Sequence, residues 1–137
     1  MENEFSTGGH TFKLSKINAL KQFQIVRRMT PVLSELFPVL SKIGKKADGL
    51  TPDDFGEFSP VISAFSRLSD EDANKVLLSL LQSVEIKQDK GWARIASDQV
   101  IMFDSLELPT LLHCAGRAFM YNLQGFFTAL PQVKHGQ

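Results

Sequence analysis

The apolar side chains of residues 108–133 fall at Leu108, Leu111, Leu112, Ala115, Phe119, Leu123, Phe126, Phe127 and Leu130. Steps of three and four put them on one face of a helix, predicted over about 107–130. Arg117 is its only formal charge, so the helix must bury itself in a core, in a partner or at a membrane. A second stripe, Leu20, Phe23, Val26, Met29, Leu33, Leu36, Phe37, Leu40 and Ile43, follows Asn18, a side chain suited to capping a helix. Pro31 and Pro38 interrupt it. Each removes a backbone donor and crowds the preceding turn, which predicts a break near Thr30, with Thr30 capping and Pro31 opening the next segment. The sharpest helix start is Ser69, a capping serine followed by Asp70, Glu71 and Asp72, whose carboxylates favour the positive end of the helix dipole. Its inward stripe reads Ala73, Val76, Leu77, Leu80, Leu81 and Val84, with an end expected near Lys87.

Thr7-Gly8-Gly9 separates two short segments, around Phe5 and over 11–14, and paired glycines supply the positive φ of a tight hairpin turn. Residues 92–95 and 100–103 predict a second hairpin around Ala96-Ser97-Asp98-Gln99. Between the helices, residues 44–60 lose all periodicity. There Thr51-Pro52 and Ser59-Pro60 each place a hydroxyl before a proline, a pattern that starts a short helical turn. The expected fold is α+β and predominantly helical, with four or so helices and one or two small β-hairpins in a single compact domain over 1–137. Its parts are an N-terminal hairpin at about 3–15, a helical core at about 18–87, a second hairpin at about 92–104 and the long last helix.

Composition adds a constraint on partners. A chain of 137 residues buries enough of itself to hold a core without staples. Eleven Phe against one Trp and one Tyr supply apolar area without a polar handle, which suits core or groove packing. Fifteen basic and fifteen acidic side chains cancel, leaving no net field for nucleic acid or an anionic membrane. The run Lys13, Lys16, Lys21, Arg27 and Arg28 has no acid within it, yet it is too sparse for a phosphate-binding tail and reads as a solvated face. Cys114 is the single cysteine, which rules out an internal disulfide and fits a reducing compartment. The acidic start, Met-Glu-Asn-Glu, with no apolar run after it, does not read as a signal peptide.

Catalytic and metal chemistry find little to use. His113 and Cys114 are adjacent on a helix and point ~100° apart, so they do not converge on one atom. The expectation is a helix-surface histidine beside a small buried cysteine. His10 and His135 lie in terminal segments, far in sequence from a zinc ligand set. Gly44 and Gly49 have phosphate-loop spacing, but Leu50-Thr51 stands where Lys-Ser/Thr belongs. A helix-turn-helix over about 60–81 would present Asp70, Glu71 and Asp72 to phosphates, which repels DNA. A membrane span over 108–133 would have to hold His113, Arg117, Asn122 and Gln124. No enzyme, cofactor or metal is expected, nor contact with nucleic acid or membrane.

Several stretches taken in order carry a family resemblance: Gln24-Ile25-Val26-Arg27-Arg28-Met29-Thr30-Pro31-Val32-Leu33, then Leu68-Ser69-Asp70-Glu71-Asp72, then Gly91-Trp92-Ala93 and Met102-Phe103-Asp104. Leu108-Pro109-Thr110-Leu111-Leu112 and Asn122-Leu123-Gln124-Gly125-Phe126-Phe127 complete the series. Their order and spacing resemble the small tail assembly chaperones encoded by tailed bacteriophages. The resemblance implies a non-enzymatic protein of the host cytoplasm, made during phage assembly and absent from the mature virion. Its implied partners are the tape-measure protein first and the tail-tube protein second, and it admits self-association. Met29, Phe119, Met120, Tyr121, Phe126, Phe127 and Leu130 are the candidate partner contacts, with Met120 and Tyr121 expected to lie off the buried stripe. Two other functions share this siteless look: an adaptor or inhibitor of a host protein, and a minor structural protein of the virion.

Overall fold

The computed structural model describes residues 3–36, 38 and 55–129, the side chains of 55–58 and 124–129 excepted. Strands β1 (Glu4–Thr7) and β2 (His10–Leu14) form the N-terminal hairpin, followed by helix α1 (Ala19–Met29) and a 3-10 turn (Thr30–Val32). Then come α2 (Phe55–Phe65), α3 (Asp70–Leu81), β3 (Val84–Gln88), β4 (Gly91–Arg94) and α4 (Leu108–Ala129). The architecture is α+β: among the described residues, four helices of 11 to 22 residues lie with a four-stranded antiparallel sheet of order β1-β2-β3-β4.

The hairpin turn is the one the glycines predict, with Gly8 at φ +61° and Gly9 at φ +82°. Asn18 accepts the amide of Lys21 at 2.8 Å and Ser69 that of Asp72 at 3.0 Å, so both predicted caps are in place. The helix breaks after Met29, as the prolines require. Thr30, however, turns its hydroxyl back to the Val26 carbonyl at 2.9 Å and does not cap the segment that follows. The expected buried stripe of α1 is also rotated: Ile25, Met29, Val32 and Leu36 are buried, whereas Leu20 and Phe23 face solvent. Spacings of four, three and four carry that row unbroken across the 3-10 turn, and this continuity selects it over the row through Leu20 and Phe23.

Residues 84–88 are strand where helix was expected. Val84 fits the helical spacing of Val76, Leu80 and Leu81, but Val84 and Ile86 are buried on alternate positions, and β2 offers a strand edge to pair with. The second hairpin therefore closes at Gln88↔Gly91, one element earlier than predicted. Gly91, at φ +141°, supplies its positive-φ position. Residues 96 and 101 keep a single bridge where strands were expected. Ser59-Pro60 also departs from expectation, since Pro60 lies inside α2. There the missing amide leaves unpaired only the Gly56 carbonyl, close to the helix start. Thr51-Pro52 and the rest of 39–54 lie outside the described residues.

Joining β2 to β3 aligns one charged row across the outer sheet face, Glu4, Lys13, Glu85 and Arg94, each directly opposite the next and alternating in sign. Lys13 Nζ lies 3.8 Å from Glu85 and 4.6 Å from the Trp92 ring centre. The inner face presents Phe5, Phe12, Leu14, Val84 and Ile86 to α4. A one-residue slip of β2 would exchange these two sets, so the sheet register is tightly specified. Helix α4 is the centre of the molecule: every residue from 113 to 120 is buried, Arg117 and His113 included.

Candidate protein-binding surface

Of the seven contact candidates, Met29, Phe119 and Met120 are fully or almost fully buried in the core. Met120 is 2% exposed, against the expectation that it lies off the stripe, because α4 is covered on all sides where a surface helix would be covered on one. Tyr121 is half-buried, with Lys16 Nζ 4.5 Å above its ring centre and hydrogen-bonded at 2.8 Å to its carbonyl. The backbone of α4 runs through Phe126 and Phe127, while their side chains, and all of Leu130, lie outside the described residues.

His113 is not on the helix surface either. The N-terminal hairpin covers it, and the Phe5 ring sits 5.4 Å from the His113 ring and 4.6 Å from the Arg117 guanidinium carbon, two groups one helical turn apart. Phe5 also stacks on Phe12 at 5.4 Å. Burial pushes the Cys114 thiol up, with the nearby charge of Arg117 opposing in part. A thiol so held is a packing group and a poor nucleophile. Among the described residues no cluster of His, Cys, Asp and Glu could hold a metal ion, and no helix is long and apolar enough to cross a membrane.

What the surface does offer lies along α3. On one side Glu71, Asn74, Lys75, Leu77 and Leu78 face the segment 98–101 across an open groove of about 510 Å³. On the other, Lys75, Val76, Leu78, Ser79 and Gln82 face Lys21, Gln24, Ile25 and Arg28 of α1. Both grooves share Lys75, Leu78 and Asp98, so they form one trough with α3 as its floor. The α1 end continues past Ser79 and Gln82 to Lys16 and Arg94. Among the described residues six large apolar side chains are more than half exposed, Leu20, Phe23, Ile62, Val100, Met102 and Leu108, and of these Val100 lines the trough. Sequence reasoning placed Leu20 and Phe23 in the core and Val100 and Met102 in a strand. The signal it passed over was the second apolar row of α1, which a one-sided helix does not need.

Polar connections tie the elements around the trough to one another. Arg28 of α1 is paired with Asp72 of α3, and Arg67 with Glu35. Asn122 of α4 holds the link between β2 and α1: its carbonyl accepts the Ile17 amide at 2.6 Å, and its amide donates to the carbonyls of Ser15 at 3.2 Å and Ala118 at 3.1 Å. Asn122, read in the sequence as an obstacle to membrane insertion and as part of the family resemblance, is thus what fixes the start of α1 on the central helix.

A family model described as phage tail assembly chaperone protein, TAC, matches residues 8–134. Comparison with curated proteins and with solved structures gave no match.

Proposed function

This chain belongs to the phage tail assembly chaperone family, and on that premise we propose that it binds and solubilises the tape-measure protein while tail-tube subunits assemble around it. Membership itself implies action on tail proteins during assembly in the host. The match over 8–134 is the observation that carries the reading, and the apolar side chains left exposed on the surface, Leu20, Phe23, Val100 and Met102 among them, support it. A long protein made of amphipathic helices exposes apolar stripes until it is packed, and a helix-in-groove surface shields such stripes while tolerating varied sequences. The protein works without catalysis, in the host cytoplasm, and leaves before the virion is complete. Phe126 and Phe127 form a second contact at the far end of α4, on the evidence of their place in the apolar stripe. Phe126→Ser or Phe127→Ser in a still-folded protein abolishes co-purification of the tape-measure protein; undiminished co-purification removes both residues from the site.

Infection with a phage carrying an early stop codon in this gene tests the role as a whole. Filled heads without tails are expected, with normal particles restored by supplying the protein in trans and the protein missing from purified virions. Normal tails without it, or its presence in particles at structural copy number, would overturn the proposal.

A further inference from the structure

The two outer strands of the sheet, β1 and β4, carry opposite charges on unpaired edges. Hairpin closure at Thr7↔His10 and Gln88↔Gly91 turns the backbone groups of Phe5 and Thr7 toward β2, and those of Gly91 and Ala93 toward β3. The amides and carbonyls of Glu4 and Ser6 on β1, and of Trp92 and Arg94 on β4, therefore point outward, and none has a backbone partner among the described residues. The charged row of the outer face ends at these same edges. Lys13 and Glu85 pair in its middle, while Glu4 at one end and Arg94 at the other are exposed and have no ion pair among the described residues.

Because β1 and β4 run in opposite directions, β1 of a second copy laid beside β4 as a plain continuation of the sheet is antiparallel to it. Setting Glu4 of that copy opposite Arg94 puts Phe5 opposite Ala93 and Ser6 opposite Trp92. The charge row then gains one more step of the same alternation. The outward amides and carbonyls of the two edges meet, Glu4 with Arg94 and Ser6 with Trp92. Phe5 stays on the inner face, next to a small side chain. Within the chain the hydrogen-bonded pairs lie on inner-face residues between β1 and β2, on outer-face residues between β2 and β3, and on inner-face residues between β3 and β4. Pairing through the outer-face residues Glu4, Ser6, Trp92 and Arg94 is the next term of that series.

We propose that copies of this chain associate head to tail, the β1 edge of one pairing with the β4 edge of the next and Glu4 facing Arg94 across the contact. Such a contact is heterologous, so each added copy leaves one open edge of each kind. Charges on a sheet edge ordinarily discourage pairing. Here they discourage β1 with β1 and β4 with β4, where the two strands bring like charges alone, and they favour the unlike pair. Two four-residue strands make a small contact, so association is weak in dilute solution and grows with concentration. The proposal goes beyond the chaperone reading and does not rest on it.

Sedimentation velocity of the whole protein over a concentration series reaching the millimolar range tests this. The mean mass is expected to pass that of a dimer without a plateau and to fall as salt is raised. Glu4→Lys and Arg94→Glu, both at exposed positions, should each weaken association about tenfold, because attraction across the new ladder becomes repulsion. An equimolar mixture of the two variants should recover it, since the altered β1 edge of one then complements the altered β4 edge of the other. A folding defect is not repaired by mixing. Ser6→Pro removes an outward amide and none that bonds to β2, so it should abolish association while the circular dichroism spectrum and melting temperature stay close to those of the wild type. A protein that stays monomeric through the series, or one that stops at a dimer, would overturn the proposal. So would charge variants that associate as the wild type does, or a mixture that associates no better than its components.

Discussion

Replacing Asn122 by alanine isolates the contact that holds the start of α1 on the central helix. The side chain is 6% exposed and makes two bonds to the connecting segment, from the Ile17 amide at 2.6 Å and to the Ser15 carbonyl at 3.2 Å. Its third bond, to the Ala118 carbonyl, lies within the helix, where the backbone supplies that oxygen with another donor. Only the two long-range bonds therefore count. A typical net contribution of ~0.5–1.5 kcal/mol each, raised toward the upper end for the half-buried Ile17 amide left without a partner, gives roughly 2–3 kcal/mol. Alanine is the better helix former by about 0.6 kcal/mol, which offsets part of this and leaves a net loss of about 1.5–2.5 kcal/mol. Urea unfolding should show the midpoint falling with an unchanged slope, and the Ile17 amide should exchange faster with solvent. Asn122→Asp keeps the acceptor for Ile17 and loses both donations, so it should not restore full stability. A loss below ~0.5 kcal/mol in Asn122→Ala would refute the view that this side chain latches the connection.

Gly8→Ala should destabilise more than Gly9→Ala. Both face the ~1–2 kcal/mol cost of a side chain in the left-handed region, but a methyl at Gly8 also overlaps Thr110 Oγ1, whereas at Gly9 it meets open space. Thr110→Ala should recover part of the loss only in the Gly8→Ala background, a coupling read from four melting curves; equal losses at the two glycines would contradict the packing of the hairpin on α4. Cys114 should resist iodoacetamide in the native protein and react at the rate of unfolding. Its folded pKa is raised, so its contribution to stability is fully present below the ordinary thiol value and lost as pH rises above it, where the unfolded thiol ionises and the buried one does not. Cys114→Ala should flatten the alkaline fall in stability by that amount, and an unchanged pH profile would show the thiol to be less buried than described.

Local chemistry made the turns and caps legible, because each depends on residues within four positions: Thr7-Gly8-Gly9, Asn18, Ser69 and the break before Pro31. Long-range pairing did not show. Residues 84–88 have a helical continuation and a strand alternation at once, and the choice is made by β2, some seventy residues earlier, through Phe12↔Ile86 and Leu14↔Val84. The trough was hidden for a related reason. Val100 and Met102 have the composition of a strand, and only after β3 and β4 complete the hairpin are they left exposed, Val100 on the trough wall. Burial of Met120 was equally invisible, since a single stripe on α4 gives no hint that its other faces are also covered. The family resemblance succeeded where the individual residues were silent about function, because ordered packing and capping patterns over most of the chain identify a fold that no one of them defines.

The central claim is that this chain keeps a tape-measure protein soluble, and co-expression in bacteria measures it most directly. The tape-measure protein of the same phage, produced alone and with this chain, is partitioned by centrifugation and quantified in the soluble fraction. The account predicts that it is insoluble alone and becomes soluble, in a complex that co-purifies, when the chaperone is present. Equal solubility in the two cultures, or a pellet that persists in the presence of this chain, would contradict it.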